Sequence, residues 1–201
     1  MTWDNEFLIP LYNALLIPAV IFVAGLLVEW VGNMIAGILA VLLGGKAAFF
    51  IRNRLTFAGT VHHELSHALF ALISGAKVTK VELFHVRGEQ LGCVEFYARG
   101  NAFTRALQMT LASIAPVVCG TGSLCVLYWL WRYYCSEVWQ YVLVGYLGVS
   151  IFFHMNMSMQ DIKNAWRGMP FTILLCYLFF LVTKINLLPL MDAQSFWVMV
   201  F

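Results

Sequence analysis

The sequence predicts an all-α polytopic membrane protein of about six transmembrane helices, with one membrane-associated β-hairpin between the third and the fourth. Three observations predict it. Of 201 residues, 62% are hydrophobic and 11% charged, with mean hydropathy +0.82, against about 45–50% and about 25% in soluble domains. The apolar runs reach about 20 residues and do not alternate as barrel strands do. One stretch, AKVTKVELFHVRGEQLGCVEFYARG (76–100), is instead rich in β-branched and aromatic residues around a central RGEQLG, the pattern of two strands and a turn.

No repeat, linker or low-complexity segment divides the chain, so residues 1–201 read as one transmembrane domain. Two leading helices occupy 1–54, and a core over 55–190 carries the hairpin. The first apolar segment, 7–28, contains Pro10 and Pro18 and is joined by EWVGN to a second over 31–51. The third, 55–74, stops at Gly75, and three more follow the hairpin at 102–131, 138–157 and 171–190. No Lys or Arg precedes Lys46, unlike the basic start of a secretory signal, so the first segment is expected to be retained. YWLWRYY (128–134) and Trp3, Trp30, Trp139 and Trp166 fall near segment ends, the level of lipid headgroups.

Charge placement gives an orientation. Lys77, Lys80, Arg87, Arg99 and Arg105 lie in or beside the hairpin, and Lys163 and Arg167 follow the fifth segment. Arg52, Arg54 and Arg132 oppose them together with an acidic N-terminus, so the hairpin side is expected to be cytoplasmic. A net charge of +2 argues against a nucleic-acid partner. The five cysteines are scattered without a CxxC pair and read as free thiols.

The chemistry concentrates in VHHELSHALF (61–70). His63 and His67 are four residues apart, which on a helix stacks both imidazoles on one face, within reach of a single metal ion. Glu64 follows His63, completing H-E-x-x-H, in which the two His bind zinc and the Glu is general base. A charged Glu inside a spanning helix is costly, which favours a functional reading over a buried polar network. His62 lies about 100° round the helix from His63 and is assigned to packing or support of the ligands. His85, in the hairpin, reads as solvent-facing or interfacial rather than as a ligand.

A catalytic zinc needs a third protein ligand and an open position. Glu29, Glu137, Asp161, Asp192 and His154 are the remaining candidates. Asp161 in HMNMSMQDIKNAWRGMPF has the best setting, although it also suits a helix N-cap before IKNAW; Asp192 in NLLPLMDAQ is next. A non-catalytic metal-binding subunit and a metal transporter are the competing readings. Glu64 argues against the first. Met155, Met157 and Met159 near His154 suggest the second, but their alternation suits packing better than a metal cage.

HELSHALFALISGAKVTKVELF resembles the zinc helix and following hairpin of the site-2 protease family of intramembrane zinc metalloproteases. SIAPVVCG, around Pro116, is similar to that family's small-residue and Pro stretch, and SMQDIKNAWRGMPF is similar to its short bacterial branch without a PDZ domain. The resemblance covers about 57–181 and leaves the leading segments outside. Larger members carry their Asp in N-x-x-P…L-D-G; here Asn186 and Pro189 give N-x-x-P, but Asp192 follows too closely and lacks the Gly.

The resemblance implies one zinc held by His63, His67 and Asp161, with Glu64 moving the proton and Asn156 either contacting the oxyanion or substrate backbone or packing between helices. It implies cleavage in or near transmembrane segments of membrane proteins, with substrate paired to the hairpin. The implied setting is a multi-pass protein of the bacterial cytoplasmic membrane.

Overall fold

The structure is a computed structural model that describes residues 3–84 and 91–188. His85, Arg87, Pro189 and Asp192 lie outside the described residues.

Helix α1 (Trp3–Leu43) is one continuous element, which corrects the expectation of two leading helices joined at EWVGN. Hydropathy dips at Glu29–Asn33, but one glycine and no proline interrupt the backbone there, and a single glycine costs a helix only about 1 kcal/mol. The helix stops instead at Gly44, whose φ of 85° lies in the left-handed region. Short α2 (Gly45–Phe49) and a π-helical turn (Phe50–Leu55) then lead into α3 (Phe57–Ile73). The Arg52 guanidinium ties this turn back to α1 by donating to Asn33 Oδ1 at 2.7 Å.

Gly75, with φ 87°, turns the chain into the hairpin. Strands β1 (Lys77–Glu82) and β2 (Cys93–Tyr97) pair antiparallel, with Lys77 opposite Tyr97, Glu82 opposite Cys93 and a bulge between Val78 and Lys80. Then follow α4 (Ala102–Tyr133), α5 (Val138–His154) and α6 (Met159–Thr183). The last begins twelve residues before the apolar segment expected at 171, because Ser158 caps it and the helix starts among polar residues.

Helix α4 is the ruler against which the others are placed. Tyr141 of α5 packs on Trp131 and Gly148 faces Leu124; past the end of α5, Met155 packs on Gly120. Along α6, the Ala165 carbonyl accepts from Thr110 Oγ1 at 3.2 Å, and Phe171 packs on Phe103. Helices α5 and α6 therefore lie end to end along α4, both antiparallel to it, as the two halves of one broken helix. The break is residues 155–158, near the middle of α4. Helix α1 covers the other side of this broken helix. Asn13 Nδ2 donates to Ile185 O at 2.8 Å, Gly25 faces Met157, and Gly32 faces Phe153.

Two glycines set the tightest crossings. A Cβ on Gly59 would strike the Ser150 carbonyl, and one on Gly168 would strike Thr110 Oγ1 and the Ala106 carbonyl. The closeness draws α3 onto the end of α5, and α6 onto α4. Ile114, Val117, Met157 and Ala165 form a core cluster at the break. Outward faces are apolar, with Val41 87%, Val138 78% and Val182 81% exposed. Among the described residues, helices α1, α4 and α6 are long and apolar enough to cross a membrane, three against the six expected spans, because the two leading segments form the single helix α1 and because α3 and α5 are short.

Candidate active site

His63 and His67 stack one turn apart on α3 with ring centroids 4.6 Å apart. Each ring is fixed from behind. His67 Nδ1–H donates to the Ala112 carbonyl at 2.8 Å, and His63 Nδ1–H donates to the His154 carbonyl at 2.5 Å. Because a carbonyl only accepts, both Nδ1 atoms carry the proton, and each neutral ring keeps its lone pair on Nε2. These Nε2 atoms stand 3.0 Å apart.

Two lone pairs cannot hydrogen-bond to each other, so a cation is what the arrangement accommodates. Zinc–imidazole bonds of about 2.0–2.1 Å at a tetrahedral angle place two nitrogens about 3.3 Å apart. Asp161 Oδ2 lies 3.8 Å from His67 Nε2, and one ligand atom from each of His63, His67 and Asp161 falls within 4.8 Å of the others. Two imidazoles and a carboxylate form a donor set that zinc accepts with one position left open.

The helix break delivers Asp161. Ser158 caps α6 in a capping box: its hydroxyl accepts from Asp161 N–H at 3.1 Å, while Asp161 Oδ2 accepts from Ser158 N–H at 3.0 Å and from Ser158 Oγ at 2.6 Å. Ser158, not Asp161, is thus the N-cap of α6, which corrects the cap reading by three residues; Asp161, at the third helical position, closes the first turn and faces the histidines.

Glu64 is 8% exposed and, with His63, His67 and Asp161, lines a cavity of about 320 Å³. Among the described residues no protein donor reaches its carboxylate, which leaves it free for water. Gly92 lies against it, since a Cβ there would come 2.6 Å from Glu64 Cγ. Cys93, Val94, Phe96, Ser158, Gln160 and Asn164 complete the lining, and Gln160 Nε2 donates to Asn164 Oδ1 at 3.0 Å. Burial, and then the Glu64 and Glu95 carboxylates, push the Cys93 thiol up.

Other candidates are placed elsewhere. Asn156 sits half-buried in the break between buried Met155 and Met157 and is not among the residues lining the cavity; Asn164 is. The His154 ring donates from Nδ1 to Ser150 O at 3.0 Å, so only its backbone serves the site. His62 Nε2 and Ser123 Oγ share a hydrogen bond of 2.9 Å beside a separate cavity of about 590 Å³. Glu137 caps α5 and Glu29 lies within α1. Met155 and Met157 are buried and Met159 is exposed, as packing rather than a metal cage requires.

Gly92, Cys93, Gln160 and Asn164 escaped the sequence reading. The one available signal was Gly92 at the end of RGEQLG, since a glycine beside a strand marks close backbone approach. Gly92→Ala is expected to lower turnover by about 10- to 100-fold by displacing Glu64, with zinc content unchanged. Parallel assays of cleavage and metal content check this.

An H-E-x-x-H helix with a carboxylate delivered from a second helix, beside an open cavity, defines a zinc metallopeptidase. Residues 56–172 match the family described as "Putative zincin peptidase", and the chain, more than half of which is matched, belongs to that family. No curated protein and no solved structure matches the chain.

Proposed function

We propose that the protein is an intramembrane zinc metalloprotease of site-2 protease type, hydrolysing peptide bonds in or near transmembrane segments of membrane proteins. The observation that carries this reading is the convergence of His63, His67 and Asp161 at a helix break packed against α1 and α4, both long and apolar enough to cross a bilayer. In a bacterial cytoplasmic membrane the hairpin side would face the cytoplasm, as the Lys and Arg placement favours.

His63, His67 and Asp161 would hold one zinc. When bound, zinc supplies polarisation of the scissile carbonyl and makes water acidic enough to attack near neutral pH. Glu64 takes the proton from the attacking water and delivers it to the departing amine nitrogen as the C–N bond breaks. Asn164, its Oδ1 held by Gln160, has its amide N–H groups free for the substrate backbone. A transmembrane helix satisfies its own hydrogen bonds and must unwind before it can be cut. Strands β1 and β2 pair only with each other among the described residues, so a free edge is available to an unwound strand.

The test is cleavage of transmembrane peptides in proteoliposomes, with metal counted by elemental analysis. About one zinc per chain is expected, with cleavage lost on chelation and restored by zinc. A protein that folds and binds no zinc would overturn the reading.

A further inference from the structure

Two helical hydrogen bonds are unmade beside the site, and the ligands use the atoms they release. In an unbroken helix the Ala112 carbonyl accepts from the N–H of residue 116, and the His154 carbonyl from that of residue 158. Residue 116 is a proline inside α4, which has no N–H and whose ring tilts the carbonyl four residues earlier away from the helix axis. Residue 158 lies in the break, and its N–H goes to Asp161 Oδ2 at 3.0 Å. The two freed carbonyls are those that accept from His67 at 2.8 Å and His63 at 2.5 Å.

The break accounts for His154 without further help, because α5 ends there. Helix α4 runs on through both sides of Pro116, so only the proline frees the Ala112 oxygen. We infer that Pro116 is a positioning residue of the zinc site, releasing and turning the Ala112 carbonyl toward His67 Nδ1–H. The contact fixes the His67 tautomer and ring, directs Nε2 at the metal position and raises its basicity. Pro116 is fully buried beside Ala112 and Ser113, so the carbonyl has no water to turn to instead. This rests on the zinc reading above.

Pro116→Ala restores an N–H that competes for the Ala112 oxygen and draws it back along the axis. The test is zinc affinity of the full chain in detergent, by competition with a chromogenic chelator, and the visible spectrum of the cobalt-substituted protein. The variant is expected to keep its helical circular dichroism, bind zinc about 10- to 100-fold more weakly and shift the cobalt bands. Pro170→Ala removes the proline of α6 in the same way, away from the ligands, and is expected to match wild type. Unchanged affinity and spectrum in Pro116→Ala would overturn the inference. So would nitrogen NMR of metal-free wild type showing His67 protonated at Nε2, a measurement that needs no variant. Wild type without zinc sinks the protease reading itself, whereas wild type with one zinc beside an unaffected variant removes only the role of Pro116.

Discussion

Glu64→Gln is expected to retain about one zinc per chain and to lose cleavage by about 10²- to 10⁴-fold, the range for removing a general acid–base. The glutamine has nearly the same shape, so Gly92 can still close against it, but its amide does not take a proton from water. Metal content should hold because Glu64 is not one of the three grouped ligand residues. Stability should not fall either. The native carboxylate is buried without a protein partner among the described residues, and replacing it with a neutral amide removes a desolvation cost. Turnover and elemental zinc, measured on the same preparation, give the answer. Wild-type turnover in the variant would rule Glu64 out as the base, while zinc loss would make it a structural element of the metal centre.

What the sequence made legible was local. The four-residue spacing of His63 and His67 needs only a helix to become a shared face, and the β-branched run at 76–100 needs only its neighbour to become a hairpin. Both forms are present. The helix start near Asp161 was legible to within three residues: Ser158 is the cap, and Asp161, three positions on, closes the capping box. What stayed illegible depends on how elements lie against one another. Hydropathy dips alike at a helix break and at a polar turn within a helix, so Glu29–Asn33 read as a boundary inside what is one helix. The end-to-end placement of α5 and α6 is set by contacts along α4, such as Tyr141 with Trp131 and Ala165 with Thr110, which no window along the chain registers. Asn156 came only from the family resemblance, and Asn164, eight residues on and within α6, is the asparagine that lines the cavity.

The unmade bonds explain why a metal site can sit among apolar helices. Unpaired backbone groups are costly in such surroundings, and here the break and Pro116 would leave two carbonyls and the Ser158 N–H without partners. The side chains of His63, His67 and Asp161 satisfy all three. The same contacts that repair the helices orient the ligands, so holding the donor atoms and folding the break are one problem with one solution.

Asp161→Ala and Asp161→Gln separate the two duties of that side chain. Glutamine at the third helical position can still reach back to the Ser158 N–H, as capping boxes allow, but it brings no negative charge to the metal. Both variants are expected to bind zinc at least about 100-fold more weakly, because a metal held by two imidazoles alone has lost its only anionic ligand. Only the alanine variant should also lose stability, by about 0.5–1 kcal/mol, the scale of a helix cap. Chelator competition reads the first effect and thermal unfolding of the metal-free protein reads the second. If both variants keep wild-type zinc affinity and only alanine melts earlier, Asp161 is a cap alone and the third ligand must be sought at Asp192 or His154. His154 would first have to give up its hydrogen bond to Ser150, and turning that ring would disturb the carbonyl that holds His63. Weak zinc in both variants instead means that the Asp161 carboxylate is the third ligand, a duty separate from closing the first turn, on the oxygen that Ser158 holds and that faces His67.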